Sequence, residues 1–219
     1  MIGLSATEPE VYQGQFGEFS ITQSDRTGVV IYRVGLAIAA LSFAVGSILV
    51  LWQGVTPTVL NALTLLYAIF SLALGVSLFT IHIYLAILHR ALQLFWAIGT
   101  IGAVALIVQN SQPLALTVYN QPIALFLIGF TFAALTGIFF KEAFCFNRLE
   151  TKFLTPLVPI LLLGHLLGAL SVEAEQVLLA VWAAFFLVFA IRKLIQPIPP
   201  DIGDKSVFAY LESKHQKAS

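Results

Sequence analysis

The amino-acid sequence predicts an all-α protein, a polytopic membrane helix bundle with about six transmembrane helices. Apolar residues make up 59% of its 219 residues and charged residues only 10%, against roughly 25% in an ordinary soluble domain. A soluble protein this apolar would expose large apolar patches and aggregate, whereas the same surface is stable against lipid. The apolar residues are also grouped in long stretches, as helices that cross a bilayer require.

Six apolar stretches approach or exceed the ~20 residues that cross a ~30 Å hydrocarbon core. In chain order they cover residues 29–52, 59–88, 91–108, 122–140, 154–170 and 176–191. The fifth and sixth are the shortest. Helix-breaking residues separate the stretches, among them Gly54, Pro57 and Pro113. The sequence therefore predicts a polar N-terminal tail over 1–28, a six-helix transmembrane domain over 29–194 and a polar C-terminal tail over 195–219.

The distribution of positive charge predicts the orientation. With an inside amino terminus, all eleven Lys and Arg residues fall on one side of the membrane or at its helix ends. The three connections on the other side carry no Lys or Arg, and one of them contains Glu173 and Glu175. Positively charged loops are retained in the cytoplasm, so both termini are predicted to be cytoplasmic.

Two histidines are candidate cofactor ligands. His165 lies inside the fifth predicted span and His82 inside the second. His82 and His89 are seven residues apart and would share one face of a helix. An intramembrane histidine is costly without a partner, so it suggests a site for haem or chlorophyll. At ~1.5 Å rise per residue the two lie roughly 20 Å apart in depth and cannot share one haem. A single histidine on chlorophyll magnesium stays open, as does a hydrogen bond to a carbonyl or hydroxyl.

The densest polar stretch between helices is 141–152, and its charges alternate in sign. The candidate site residues there, for a polar cytoplasmic cluster or a partner contact, are Lys141, Glu142, Asn147, Arg148, Glu150 and Lys152. Glu142 could be a proton or cation site, but pairing with a nearby Arg or Lys is favoured. Cys145 is expected to be a small buried hydrophobe, and one thiol excludes a zinc site built on a cysteine cluster.

Three further features predict local structure. Small residues four apart, such as Gly35 with Ala39 and Gly99 with Ala103, predict close helix–helix seams, within one chain or at a dimer face. Two prolines, at 156 and 159, are expected in the first turn of the fifth span, where amide donors are free anyway. Arg33, one turn into the first span, is expected to snorkel to the cytoplasmic interface.

The stretch KEAFCFNRLETK (141–152), with LTPLVP (154–159) and GHL (164–166), resembles an uncharacterised integral-membrane family, domain-of-unknown-function family 2301, typical of cyanobacteria and chloroplasts. The resemblance covers about 12–194. The family has no established activity, so no catalytic residue is carried over. The resemblance implies the thylakoid or plasma membrane of an oxygenic phototroph and a partner in photosynthetic complex biogenesis.

The expected function is therefore that of a non-enzymatic assembly or accessory factor for a photosynthetic membrane complex. The expected partners are the lipid bilayer and subunits of that complex. Nothing in the sequence resembles a nucleotide loop, a hydrolase elbow or a metalloprotease helix, and the zero net charge does not suggest nucleic acid. Two alternatives stay open, a small-solute transporter or channel and a pigment (chlorophyll) or haem carrier.

Overall fold

A computed structural model describes residues 10–83, 85–207 and 210–211. A two-stranded antiparallel hairpin, β1 (Val11–Gly14) and β2 (Gly17–Ser20), precedes the helices. In chain order the helices are α1 (Gln23–Gln53), α2 (Pro57–Thr80), α3 (Ala86–Gln109), α4 (Leu114–Asn120), α5 (Pro122–Phe146), α6 (Leu149–Leu166), α7 (Val172–Ile195) and α8 (Pro199–Ile202).

Six of these helices, α1, α2, α3, α5, α6 and α7, are long and apolar enough to cross a membrane. The shortest, α6, has 18 residues and extends about 27 Å, close to the thickness of the hydrocarbon core. The remaining helices, α4 and α8, have seven and four residues. The predicted all-α polytopic bundle is thereby confirmed.

Short polar side chains begin three of the long helices. Thr22 caps α1 in a reciprocal capping box with Asp25, and Thr56 and Ser171 accept backbone N–H bonds at the starts of α2 and α7. These caps satisfy amide donors that the first helical turn leaves free. Gly54 ends α1 with a positive φ of 70°, which a residue with a side chain rarely adopts.

The second predicted span is too long. Its helix ends at Thr80, the chain is not helical at 81–83 and 85, and α3 begins at Ala86. His82 therefore lies in the connection and does not share a helix face with His89, so that prediction is wrong. A continuous helix over 59–88 would extend about 45 Å, well beyond the ~30 Å core.

The prolines of the fifth span are not in its first turn, which corrects a second prediction. Asn147 ends α5 in the left-handed conformation, and α6 begins two residues later at Leu149. Pro156 and Pro159 therefore lie inside α6. Each removes one intrahelical hydrogen bond, which weakens the helix locally.

The bundle core is built around α1, which packs against α2 and α7, while α5 packs against α3 and α6. Two of the predicted small-residue seams lie within the chain. A Cβ on Gly35 would lie 2.6 Å from Ser77 Oγ and 2.8 Å from the Ala73 carbonyl oxygen, so α1 and α2 meet closely there. Gly99 likewise faces the backbone of Thr131 and lets α3 approach α5.

Candidate functional site

Polar side chains gather at the two ends of the bundle. At one end, here the basic face, α1, α5, α7 and α8 contribute an ionic network of Arg33, Lys141, Glu142, Lys193 and Asp201. At the other end, the opposite face, α4, α6 and α7 contribute a histidine clamp of Tyr119, His165 and Glu175. The two groups therefore lie at opposite ends of the helices.

Glu142 is the centre of the ionic network. Its Oε1 lies 2.8 Å from Lys141 Nζ, and its Oε2 lies 2.6 Å from Lys193 Nζ. The Tyr32 hydroxyl donates a third hydrogen bond of 3.2 Å to Oε1. The side chains of Glu142 and Lys193 are fully buried. The predicted pairing of Glu142 with a basic residue is confirmed, with a second and distant lysine added.

Asp201 extends the network to the C-terminal segment. Its carboxylate pairs with Lys193 and accepts bonds of 2.8 and 2.6 Å from Arg33 Nε and Nη2. Arg33 also donates to the carbonyls of Gln196 and Pro197, at 2.5 and 2.8 Å. Arg33 is only 5% exposed, and its guanidinium points to residues that follow the end of α7, the side expected for a snorkelling arginine. Protein acceptors at the basic face, in place of water or lipid head groups, satisfy its guanidinium.

The buried charges are compensated by close contacts. A buried charge is tolerated only when it is paired and its hydrogen-bonding groups are satisfied. The ring of Phe146 lies 4.3 Å from Lys193 Nζ and adds a cation–π contact. The network thus joins α1, α5, α7 and α8 into one unit, and the Glu142 carboxylate is fully occupied by structural contacts.

The other residues of the predicted polar cluster lie outside the ionic network. Glu150 lies 3.7 Å from Arg148 and 2.8 Å from Arg192, while Arg148 also donates to Gln196 Oε1. Asn147 ends α5. Lys152 is exposed and does not join the ionic network.

Cys145 is exposed, so its predicted burial is wrong. It lies in the last turn of α5, where the neighbouring Phe144 is 83% exposed. The apolar neighbours in the sequence therefore did not indicate a buried position.

The hairpin and the C-terminal segment fold together on the basic face; they are here called the terminal platform (11–20 with 199–207 and 210–211). The Asp204 carboxylate accepts a 2.7 Å bond from the Gln15 backbone and bonds from Ser206, whose hydroxyl accepts from the Phe16 backbone. The Phe16 and Tyr210 rings stack at 4.1 Å. The bonds from Gln15 and Ser206 hold the pKa of Asp204 below its usual value.

His82, the second predicted ligand, lies half-buried in the connection between α2 and α3. Its Nδ1 is buried and has no hydrogen-bond partner among the described residues. Burial, the largest contribution, lowers the pKa of His82 below its usual value and favours the neutral ring.

The histidine clamp joins three helices. His165 Nδ1 lies 2.6 Å from Glu175 Oε1, and its Nε2 lies 2.9 Å from the Tyr119 carbonyl oxygen. The Tyr119 hydroxyl donates to Glu175 Oε2 at 3.3 Å, and its ring lies 4.5 Å from the imidazole. Burial, followed by the charge of Glu175, raises the pKa of Tyr119.

Both ring nitrogens of His165 are occupied. A carbonyl oxygen only accepts, so the bond to Tyr119 requires a proton on Nε2, and Nδ1 shares its proton with the Glu175 carboxylate. A chlorophyll magnesium or haem iron needs a free nitrogen lone pair, so ligation by His165 would have to break one of these bonds. The bond to the Tyr119 carbonyl agrees with the second of the two sequence interpretations, a hydrogen bond to a carbonyl or hydroxyl. Glu175 was not predicted from the sequence as a partner of His165, although it lies only ten residues away across a short turn.

A cavity of about 440 Å³ lies in the half of the bundle nearer the opposite face. It is bordered by the long helices α1, α2, α5, α6 and α7 and by the short helix α4, and its lining is mostly apolar. His165 and Glu175 form part of its wall. None of the ionic-network residues lines it.

The six membrane-length helices and their buried polar groups define a polytopic α-helical integral membrane protein. Residues 76–210 match the family described as uncharacterized integral membrane protein, domain of unknown function 2301. Because the match covers more than half of the sequence, the chain belongs to this family, which confirms the predicted resemblance. No curated protein and no solved structure matches the chain.

Proposed function

We propose that the protein is a non-enzymatic assembly or accessory factor that binds subunits of a photosynthetic membrane complex, with both termini cytoplasmic. The observation that supports this proposal is the terminal platform. Both ends of the described chain fold against each other outside the membrane-spanning helices, through Asp204, Ser206 and the stacked rings of Phe16 and Tyr210.

The ionic network supports the same function because it anchors the platform to the bundle. Asp201 of α8 is bound by Arg33 of α1 and Lys193 of α7, and all three side chains are buried. An anchored platform presents a rigid surface to a partner, which lowers the entropic cost of binding. On that surface Val11 is 65% exposed and Phe16 45% exposed.

The setting in a thylakoid or plasma membrane of an oxygenic phototroph rests on the family resemblance of residues 141–166 and on no structural feature. A small-solute transporter remains the alternative in which Glu142 lines a path. The closed contacts of Glu142 with Lys141 and Lys193 favour a structural role for this carboxylate. The alternative of a pigment or haem carrier would require its ligand to bind in the apolar cavity near the opposite face.

Affinity purification of the tagged protein from native membranes tests the proposal. We expect subunits of a photosystem or cytochrome complex to co-purify, as identified by mass spectrometry. The variant Asp204→Ala removes the carboxylate that ties the hairpin to the C-terminal segment and should lose these subunits. The matched control Glu173→Ala removes an exposed carboxylate at the opposite face, away from the platform, and should retain them. Recovery of the wild-type protein alone would contradict the proposal.

A further inference from the structure

We propose that the cavity near the opposite face is a binding site for a small, uncharged lipophile that carries a ring and one hydroxyl group, and that α4 is its lid. This inference goes beyond the proposed accessory function and does not depend on it. It rests on the volume of the cavity, the chemistry of its walls and the contacts that hold α4 in place.

The size and lining of the cavity match those of a ligand site. Ligand pockets in proteins have volumes of about 300–1,000 Å³, with mostly apolar walls and a few converging polar groups. This cavity has a volume of about 440 Å³, and leucine, valine and phenylalanine side chains dominate its lining. Its occupant must therefore be mostly apolar and of moderate size.

One wall of the cavity is aromatic. The rings of Phe70 and Phe132 have centroids 5.6 Å apart, and Phe43 lies 6.3 Å from each. Trp182 packs behind this wall, 4.4 Å from Phe43, and holds it in place. Aromatic rings pair best with other rings, in offset or edge-on arrangements. The wall therefore favours a ring over a simple alkyl chain.

The polar groups of the lining select an uncharged molecule. The charged residues that line the cavity are His165 and Glu175, and they pair with each other at 2.6 Å. A charged ligand would have no free counter-ion there. The Ser42 and Ser47 hydroxyls donate to carbonyls of their own helix, which leaves their oxygen lone pairs able to accept. A ligand hydroxyl can donate to one of them.

Helix α4 covers part of the half-open cavity as a separate short element. Leu114, Leu116 and Val118 of this helix contribute to the lining. Tyr119, near the end of the helix, binds His165 of α6 through its carbonyl and Glu175 of α7 through its hydroxyl. Breaking these bonds would release the Tyr119 end of α4 from α6 and α7, while the buried Leu114 and Thr117 keep the helix against the bundle. The histidine clamp can thereby control entry to the cavity.

Photolabelling of the purified full-length protein in detergent tests the site. The probe is 4-(hydroxymethyl)benzophenone, and the readout is the position and amount of covalent label by mass spectrometry. We expect saturable label on cavity residues such as Leu63, Leu66 and Val118, which excess 4-(hydroxymethyl)biphenyl displaces. The anionic analogue 4-benzoylbenzoate should not label these residues.

Matched variants separate the cavity from the lipid-facing surface. Ala115→Phe places a ring in the cavity and should abolish the saturable label, whereas Ala180→Phe, on an exposed position of α7, should leave it unchanged. The double variant His165→Ala/Glu175→Ala removes all three hydrogen bonds of the clamp and should speed labelling. An unchanged rate would overturn the role of α4 as a lid.

Label that competitor does not displace, or that falls equally on exposed residues of α2 outside the cavity such as Leu72 and Phe79, would show partition into detergent only and would overturn the site. If Ala115→Phe does not fold, competition and label position in the wild-type protein decide the question. Loss of the co-purifying subunits described above would leave this result unaffected, so the two proposals fail separately.

Discussion

Lys193 of α7 forms an ion pair with Asp201 of α8, and neither side chain is more than 1% exposed. The pair connects the end of the last long helix to the C-terminal segment. Arg33 of α1 binds the same carboxylate, and Glu142 of α5 binds the same ammonium group. The terminal platform therefore depends on charges that are buried together at the basic face.

Removal of Asp201 should destabilise the protein strongly. The variant Asp201→Ala leaves Arg33 buried without its carboxylate and Lys193 with one partner in place of two. Losing one partner of a buried ion pair costs about 3–5 kcal/mol. Thermal unfolding in detergent should show a large loss of stability, while Glu18→Ala, at an exposed position, should match the wild-type protein. Equal melting of the two variants would contradict the structural role of Asp201.

Glu142 and Lys193 should show strong energetic coupling. Glu142→Gln alone leaves Lys141 without a carboxylate and Lys193 with Asp201 as its one ionic partner. Lys193→Met alone leaves Glu142 with Lys141 as its one ionic partner. In the double variant, Lys141 is the cation left without a carboxylate, because Arg33 still pairs with Asp201. We expect the double variant to be more stable than the sum of the single losses implies, by about 1–3 kcal/mol. Additive losses would show that the two groups do not interact.

Gly35 should not tolerate even a methyl group. In Gly35→Ala the new Cβ would lie 2.8 Å from the Ala73 carbonyl oxygen, which belongs to the backbone of α2, so the two helices must move apart. Overpacking of this kind costs about 1–3 kcal/mol. The control Gly129→Ala adds the same methyl where no atom lies within 4 Å, and it should be neutral or slightly stabilising. Equal stability of the two variants would place the α1–α2 seam elsewhere.

His82 should make stability depend on mild acid. Its pKa in the folded protein is lowered below the usual 6.5, chiefly by burial, so the unfolded chain binds a proton that the folded protein does not. Protonation of His82 therefore does not change the free energy of unfolding above pH 6.5. Below pH 6.5 the folded protein loses stability as pH falls toward the lower pKa of folded His82.

The variant His82→Phe tests this dependence by removing the titrating ring. Melting temperatures measured at neutral pH and at about one unit below the usual histidine pKa should differ less in the variant than in the wild-type protein. An equally large acid-induced decrease in both proteins would assign the effect to another group.

The number of spans and the family were predictable because both depend on local sequence. The hydropathy of a stretch is the sum of its own residues, so six helices appear in the sequence and in the structure alike. The ends of the helices were less predictable. No Gly or Pro in the sequence marks the end of α2 at Thr80 or the start of α3 at Ala86. Pro156 and Pro159 suggested a helix start that lies earlier in the structure, after the left-handed Asn147.

The contacts within the candidate sites were predictable only where the two partners are close in the sequence. The sequence places Lys141 next to Glu142, and the pairing of that carboxylate with a basic residue was expected. The second partner, Lys193, lies 51 residues away along the chain. The burial of Arg33 likewise depends on Asp201, 168 residues away, and no pattern near Arg33 indicates it.

The sequence by itself determined that this chain is a membrane protein, how many times it can cross the bilayer and to which family it belongs. These properties depend on neighbouring residues in contiguous stretches of the chain. Only the tertiary structure decided which charges meet, that both nitrogens of His165 are occupied, and that six helices border a half-open cavity. Those properties depend on distances between residues far apart in the chain, and packing alone sets such distances.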